Sequence, residues 1–326
     1  MLSRNRATES TSGRARRAAR AEDVSVGRGW PLAPYTPAAM DAKELNALVH
    51  DREAAFYDDR FLIAFDGRIG KDVERDLQRI VGGPVRSKRA LDLACGTGYA
   101  AIGLAVAGLA EEVHATDLSI KMLERCRDNA AAANAEVRIA LSDAERLPYE
   151  DDAFDLVVAR GALHHVPSPD AMMREIRRVL APDGTAVVLA EPTAPGERQV
   201  AAVVGTAYRA VEAWRKLRRR ERDAEHERWE MASIAANLHT FAPADVERLA
   251  RDAGFTEVRV GTASWAWVLT LGLNYYFVGE SEGLARSAIA RATGRRLAEA
   301  AAAFDRSVAD RVFPASWRHT VQAVLR

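Results

Sequence analysis

The stretch Leu91-Asp92-Leu93-Ala94-Cys95-Gly96-Thr97-Gly98 constrains the fold of this chain more than any other. An apolar run reads as a buried strand, and the glycines at 96 and 98 let the backbone turn sharply and approach a ligand without a Cβ in the way. The residues after the turn, Tyr99 to Val106, read as a helix whose first N–H groups are free to face that ligand. A second acid, Asp117, stands nineteen residues beyond Gly98. A strand, a glycine turn, a helix and an acid at this distance describe a crevice for a nucleoside.

The rest of the chain supplies the elements such a crevice needs. From Ala42 to about Ile80 the apolar spacing predicts two helices, stopped by Gly82-Gly83-Pro84. Strands are then predicted at Arg89 to Leu93, Glu112 to Thr116, Val137 to Leu141, Phe154 to Ala159 and Thr185 to Ala190. Helices are predicted at Tyr99 to Val106, Ser119 to Ala133 and Asp170 to Leu180, the last closed by Pro182-Asp183-Gly184. This alternation predicts an α/β, Rossmann-like parallel sheet wound on both faces. Beyond Pro195, residues 197–238 read as mostly helical, with Arg219/Asp223 and Arg222/Glu225 at ion-pair spacing on a solvated face. Pro243 to Ala253 reads as a helix capped by Gly254, Thr256 to Val260 as a strand, 281–312 as helical, and Trp317 to Leu325 as a closing strand. The apolar, aromatic segment 265–278 is too short to span a bilayer and reads as core, as the wall of a greasy pocket, or as a surface that touches lipid.

The predicted organisation is therefore an Arg-rich tail (1–39), N-terminal helices (40–85), a core sheet (86–195), a helical insertion (196–242), and a C-terminal part of the sheet (243–326) with a second insertion at 265–312. The tail has no apolar stretch of secretory length; it reads as disordered, an over-extended translation start with Met40 as the true one, with a transit peptide and an RNA-binding arm as the alternatives. Lys+Arg and Asp+Glu both number 46, so no overall field draws nucleic acid or an anionic membrane. Cys95 and Cys126 are the only cysteines, which gives no disulfide framework or zinc site and fits a reducing, cytoplasmic setting.

Gly96-x-Gly98-x-x-Ala101 with Asp117 also satisfies the dinucleotide fingerprint, so an NAD(P)-dependent oxidoreductase is one reading of the turn, and a non-catalytic nucleoside-binding protein another. The discriminating residues are Asp92 inside the strand, the Ser142-Asp143-Ala144 turn, Leu147-Pro148-Tyr149, and Arg160-Gly161-Ala162-Leu163-His164-His165-Val166 after the fourth strand. On these residues, from about Arg89 to Pro192, the chain resembles the class I S-adenosylmethionine-dependent methyltransferases, in the small-molecule branch that includes ubiquinone and menaquinone biosynthesis enzymes.

The resemblance implies a seven-stranded, mostly parallel sheet with an antiparallel last strand, and S-adenosylmethionine as cofactor. It places the backbone at Ala94, Cys95, Gly96 and Gly98 under the methionine part of the cofactor, with Asp92 ordering its amino end. It puts Asp117 on the ribose hydroxyls, Leu118 and Met122 beside the adenine, and Asp143 with Ala144 at its exocyclic amine. Arg160 falls in the matching motif on the cofactor side, and Tyr57, in Phe56-Tyr57-Asp58, is the candidate to fold over the positive sulfur. His164 and His165 are the candidate bases for an acceptor that must lose a proton. The implied acceptor is a small organic molecule. No metal site is expected, and the Asn-Pro-Pro-Tyr signature of amino-methylating nucleic-acid enzymes is missing where Ala159-Arg160-Gly161-Ala162 stands.

Overall fold

Strand β1 (Ser87–Leu93) is the middle of the structure, because apolar Ala90, Leu91 and Leu93 bury completely only with a neighbour on each side. In the computed structural model, which describes residues 40–217, 232–233, 235–279 and 288–326, it pairs in parallel with β2 (Ala110–Asp117) and β4 (Phe154–Arg160). Outside these lie β3 (Arg138–Leu141) on β2 and β5 (Leu180–Pro192) on β4, both parallel. β7 (Thr320–Leu325) runs antiparallel to both β5 and β6 (Val258–Ala263), giving the order β3-β2-β1-β4-β5-β7-β6. The sheet is the mostly parallel, seven-stranded α/β sheet the resemblance implies.

Helices cover both faces. α3 (Ile69–Val81), α4 (Tyr99–Val106) and α5 (Ile120–Ala132) bury one apolar cluster with Val73, Leu104 and Cys126, while α6 (Pro169–Val179) and α8 (Pro243–Asp252) bury the other with Met172, Ile176 and Leu249. α1 (Ala42–Glu53) and the short α2 (Tyr57–Arg60) cross the carboxyl ends of the strands. α7 (Ala194–Leu217), α9 (Ala266–Gly279) and α10 (Ala288–Phe304) make the outer helical layer. Residues 37–326 form one compact unit. Among the described residues no helix is long and apolar enough to cross a membrane.

Three details differ from the sequence expectation. The N-terminal region breaks into α1, α2 and α3, because Leu62 turns back with φ 56°. Pro182-Asp183-Gly184 does not close a helix; it lies inside β5, which begins at Leu180 as soon as α6 ends. Trp317 belongs to a 3-10 turn, and the closing strand starts three residues later. The tail 1–39 and the Arg219/Asp223 and Arg222/Glu225 pairs lie outside the described residues.

α3 and α4 touch so closely that a Cβ on Gly103 would overlap Val73, 2.6 Å from its Cβ. Gly103→Ala is expected to destabilise the fold by about 1–3 kcal/mol through overpacking. Denaturant titration of G103A, V73G and the double variant checks this: the double variant should be more stable than the sum of the two single losses predicts, because V73G removes the whole obstructing side chain.

Candidate active site

A cavity opens at the carboxyl ends of β1, β2, β3 and β4. Its floor is the turn after β1. Ala94, Gly96 and Gly98 there have φ values of 55°, 53° and 93°, so every second residue lies in the left-handed region. The turn is tied down by Cys95 N–H donating to Thr116 O at 2.8 Å and Gly98 N–H to Cys95 O at 2.9 Å. The two glycines serve different needs. A Cβ on Gly98 would sit 2.5 Å from Cys126 Sγ, so this glycine lets α4 pack on α5. A Cβ on Gly96 would meet nothing nearer than Tyr57 Cε1 at 3.9 Å; it would project into the gap between the turn and the tyrosine ring.

Three carboxylates from successive strand ends face this cavity. Asp92, 2% exposed, accepts from Ala101 N–H at 2.8 Å, which pins the first turn of α4 to β1. Burial pushes its pKa up to about 7, with the neighbouring Asp117 adding to the rise and the Ala101 N–H and Arg160 opposing it. Asp117 accepts from Gly96 N–H at 2.8 Å and Ser119 N–H at 2.9 Å, and burial raises its pKa against those bonds and the attraction of His50. Asp143 accepts from Glu145 N–H at 2.9 Å and pairs with Lys43 Nζ at 2.7 Å.

Lys43 belongs to α1, which forms the roof. Its ammonium also reaches Glu145 at 2.6 Å, and these two partners hold its pKa up against partial burial. Asn46, one turn on, donates to His165 O at 2.9 Å. At the far end Asp51 accepts from Ser119 Oγ at 2.5 Å and Lys121 N–H at 3.0 Å. Asp58 of α2 pairs with Arg125 at 2.8 Å, which sets Tyr57 opposite Gly96, its ring 4.5 Å from that of Phe61.

The two histidines part company. His164 lines neither cavity: its Nδ1 bonds to Glu191 at 2.8 Å, and the fully buried Glu191 also accepts from the N–H groups of Ala162, Leu163 and His164 at 2.9–3.1 Å. His165 lines the cavity, with its ring 4.8 Å from and perpendicular to His50 and its Nδ1–H donating to Ala236 O at 3.1 Å. Burial holds its pKa well below the usual imidazole range, helped by His164 and His50.

Of the other predicted residues, Leu118, Ala144, Cys95 and Arg160 line the cavity. Met122 does not: it is fully buried in α5, behind the wall. Arg160 also borders a second, larger chamber between α3, α9 and α10, and the two cavities share Ile63, Tyr99, Ala100 and Arg160. Lys43, Asn46, His50, Tyr99 and Glu191 were not singled out from sequence. Glu191 alone had a local signal, an acid at the end of an otherwise apolar strand just before Pro192.

Residues 91–188 match the family model described as a methyltransferase domain. The chain is 40% identical over 111 residues to the malonyl-[acyl-carrier protein] O-methyltransferase of Halorhodospira halophila, covering 34% of this chain and 37% of that one. It is also 40% identical over 111 residues to the demethylmenaquinone methyltransferase of Lactobacillus johnsonii, covering 32% and 46%. The chain thus spans less than half the length of these curated relatives. Among solved structures, phosphoethanolamine N-methyltransferase 2 of Haemonchus contortus, in complex with S-adenosyl-L-methionine, has the same fold with a TM-score of 0.57 at 17% identity, covering 89% of this chain and 61% of that one. The similarity to methyltransferase domains thus lies in residues 91–188, and the sheet around them has the fold of that solved methyltransferase.

Glu191 fixes the loop after β4 through four donors, so neutralising it leaves a buried cluster of N–H groups underserved. Glu191→Gln is expected to cost about 2–4 kcal/mol, by analogy with buried pairs that lose one partner. Chemical denaturation measures it; a loss under about 0.5 kcal/mol, the size usual for surface changes, would remove Glu191 from that role.

Proposed function

We propose that the protein is an S-adenosylmethionine-dependent methyltransferase acting on a small organic acceptor. The observation that carries this reading is the row of Asp92, Asp117 and Asp143 at three strand ends, all facing one cavity whose floor is open at Gly96. A nucleoside with a cationic amino-acid tail needs this set of acceptors: for the amino group, for two ribose hydroxyls, and for an adenine amine. The gap that a Cβ at Gly96 would fill is room for the tail to pass close to the backbone.

In this reading Asp92 takes the amino end, Asp117 the ribose and Asp143 the adenine amine, with Leu118 and Ala144 as apolar walls. Lys43 holds Asp143 and Glu145 in place from the roof. Tyr57, standing across from Gly96, presents an aromatic ring to the positive sulfur. The chemistry supplied by bound S-adenosylmethionine is an activated methyl group on a sulfonium. What this chain's residues add is alignment and exclusion of water, and alignment alone can lower a barrier by about 7–11 kcal/mol. α1 and α2 close the cavity from above for that purpose. Of the two histidines, only His165 faces the cavity; with Nδ1–H held by Ala236 O, its Nε2 is the lone pair free to receive a proton. Its depressed pKa makes it a weak base, suited to an acceptor that is itself acidic. A cytoplasmic setting agrees with Cys95 and Cys126 being free and buried.

Transfer of a tritiated methyl group from S-adenosylmethionine into fractions of a cell extract tests the reading, with Asp117→Ala as control. That substitution is expected to weaken cofactor binding by roughly 1.5–3 kcal/mol, the worth of a charge-assisted hydrogen bond. Cofactor binding at wild-type strength in D117A would take Asp117 out of the ribose role.

Asp92 also predicts a pH dependence. With a folded pKa of about 7 against an ordinary 3.8, the ligand-free fold keeps a proton there that the unfolded chain releases. The group's contribution to stability is therefore present at low pH and lost as pH rises towards 7. Binding of a cation favours the ionised form, so cofactor affinity should rise between about pH 6 and pH 8 and then level off. Asp117, whose pKa is raised too, shifts the curve in the same direction. Calorimetry across that range should find most of the slope gone in Asp92→Asn; an unchanged slope there would assign the dependence to another group.

A further inference from the structure

We infer that Arg160 is the anion receptor of the second chamber, so that the molecule methylated carries a carboxylate joined to an apolar body. The inference rests on the methyltransferase reading and adds a substrate class to it.

Arg160 ends β4, where the two cavities meet. Its guanidinium carbon lies 5.0 Å from the centre of the Tyr99 ring, on α4, and 5.7 Å from that of Trp267, on α9. A guanidinium that meets rings through cation–π contact makes no hydrogen bond to them and keeps its N–H donors for a planar partner. Among the described residues none accepts from them: Arg160 has no hydrogen bond and no ion pair. The nearby Asp92 feels its charge but makes neither a hydrogen bond nor an ion pair with it.

Other arginines of the chamber differ. Arg68 is held by Asp66 and Glu299 at 3.0 Å each, Arg75 by Asp72 at 2.9 Å, and Arg79 by Asp310 at 3.2 Å. Arg295 and Arg306 have no ion partner among the described residues either, but they border only the second chamber and have no ring beside them. Arg160 alone stands where a group in the large chamber would come next to the first cavity.

The stacking ring is held firmly. Asp305, 3% exposed, accepts from Ala266 N–H and Trp267 N–H at 2.9 Å each and so fixes the start of α9. A guanidinium beside two rings and without an ion pair gains a bidentate, charge-assisted pair from an incoming carboxylate. Around it Leu62, Ile63, Leu77 and Leu189 offer apolar wall, which calls for an apolar body behind the anion.

A carboxylate at Arg160 has two sources, the acceptor or the methionine end of the cofactor, and the test separates them. The full-length protein is titrated with S-adenosylhomocysteine, and then, saturated with it, with octanoate against octanamide and cinnamate against cinnamamide. The wild type is expected to bind at least one acid tenfold or more tightly than its amide. Arg160→Gln should erase that preference while keeping S-adenosylhomocysteine affinity within threefold. Trp267→Leu, which keeps the charge and removes one ring, should cut the preference severalfold, and it carries the comparison if R160Q fails to fold. Equal binding of acid and amide, or no binding of either acid, overturns the inference. A tenfold or greater loss of S-adenosylhomocysteine affinity in R160Q also overturns it, assigning Arg160 to the cofactor and leaving the methyltransferase reading intact. Failure of the wild type to bind S-adenosylhomocysteine defeats that underlying reading, and the inference with it.

Discussion

The cleft exists because β1 has a parallel partner on each side and the chain leaves it in opposite directions. From β1 through α4 it passes to β2 and β3; it returns to the other flank at β4 and continues to β5. At such a reversal the connecting loops part, and the strand ends beneath them are left uncovered. The turn after β1 can lie across that gap only because the backbone at positions 94, 96 and 98 enters the left-handed region. Ala94 does so with a Cβ, a conformation that costs an L-residue roughly 1–2 kcal/mol. The Cys95 bond to Thr116 O and the Asp117 bond to Gly96 N–H, both at 2.8 Å, hold it there.

Burying carboxyl groups at the mouth of this gap is costly, and the structure answers each differently. Glu191 is met by four donors and serves the loop after β4. Asp117 and Asp143 have two donors each and keep lone pairs for a ligand. Asp92 has one N–H and almost no water, and the penalty appears as a pKa pushed up to about 7. The less completely a buried acid is served by its own chain, the more a cationic ligand gains by completing it.

Which of these groups sequence could reveal follows from how local their geometry is. Asp92, Gly96, Gly98 and Asp117 lie within one strand-turn-helix-strand unit, where spacing fixes position, and Asp143 and Arg160 come at the ends of strands with clear apolar runs. Gly98 and Met122 mark the limit of such reading. The pattern names them, yet Gly98 is needed for contact with Cys126, and Met122 points into the interior because the phase of α5 is set by packing on the sheet. Likewise a His-His pair does not say which ring turns inward; that is decided by Glu191, twenty-seven residues away from His164. Lys43, Asn46 and His50 reach the site only because α1 folds back over it, and Lys43 meets Asp143 across a hundred residues of chain. No local period records such contacts.

The two halves of the site are built on different terms. The side formed by β1, β2 and β3 is made of backbone turns and short acids whose positions follow from strand pairing, so it has little freedom to vary while the sheet remains the same. The opposite side is made by α3, α9 and α10, whose lining side chains take no part in strand pairing. On the proposed function, choice of acceptor belongs to the helical side. Arg160 stands on a strand but is held by Trp267 from the helical layer. Its backbone position is fixed by pairing with β5 at Leu189, while its ring neighbour Trp267 comes from α9, which makes it the point where the paired strands meet the helical pocket.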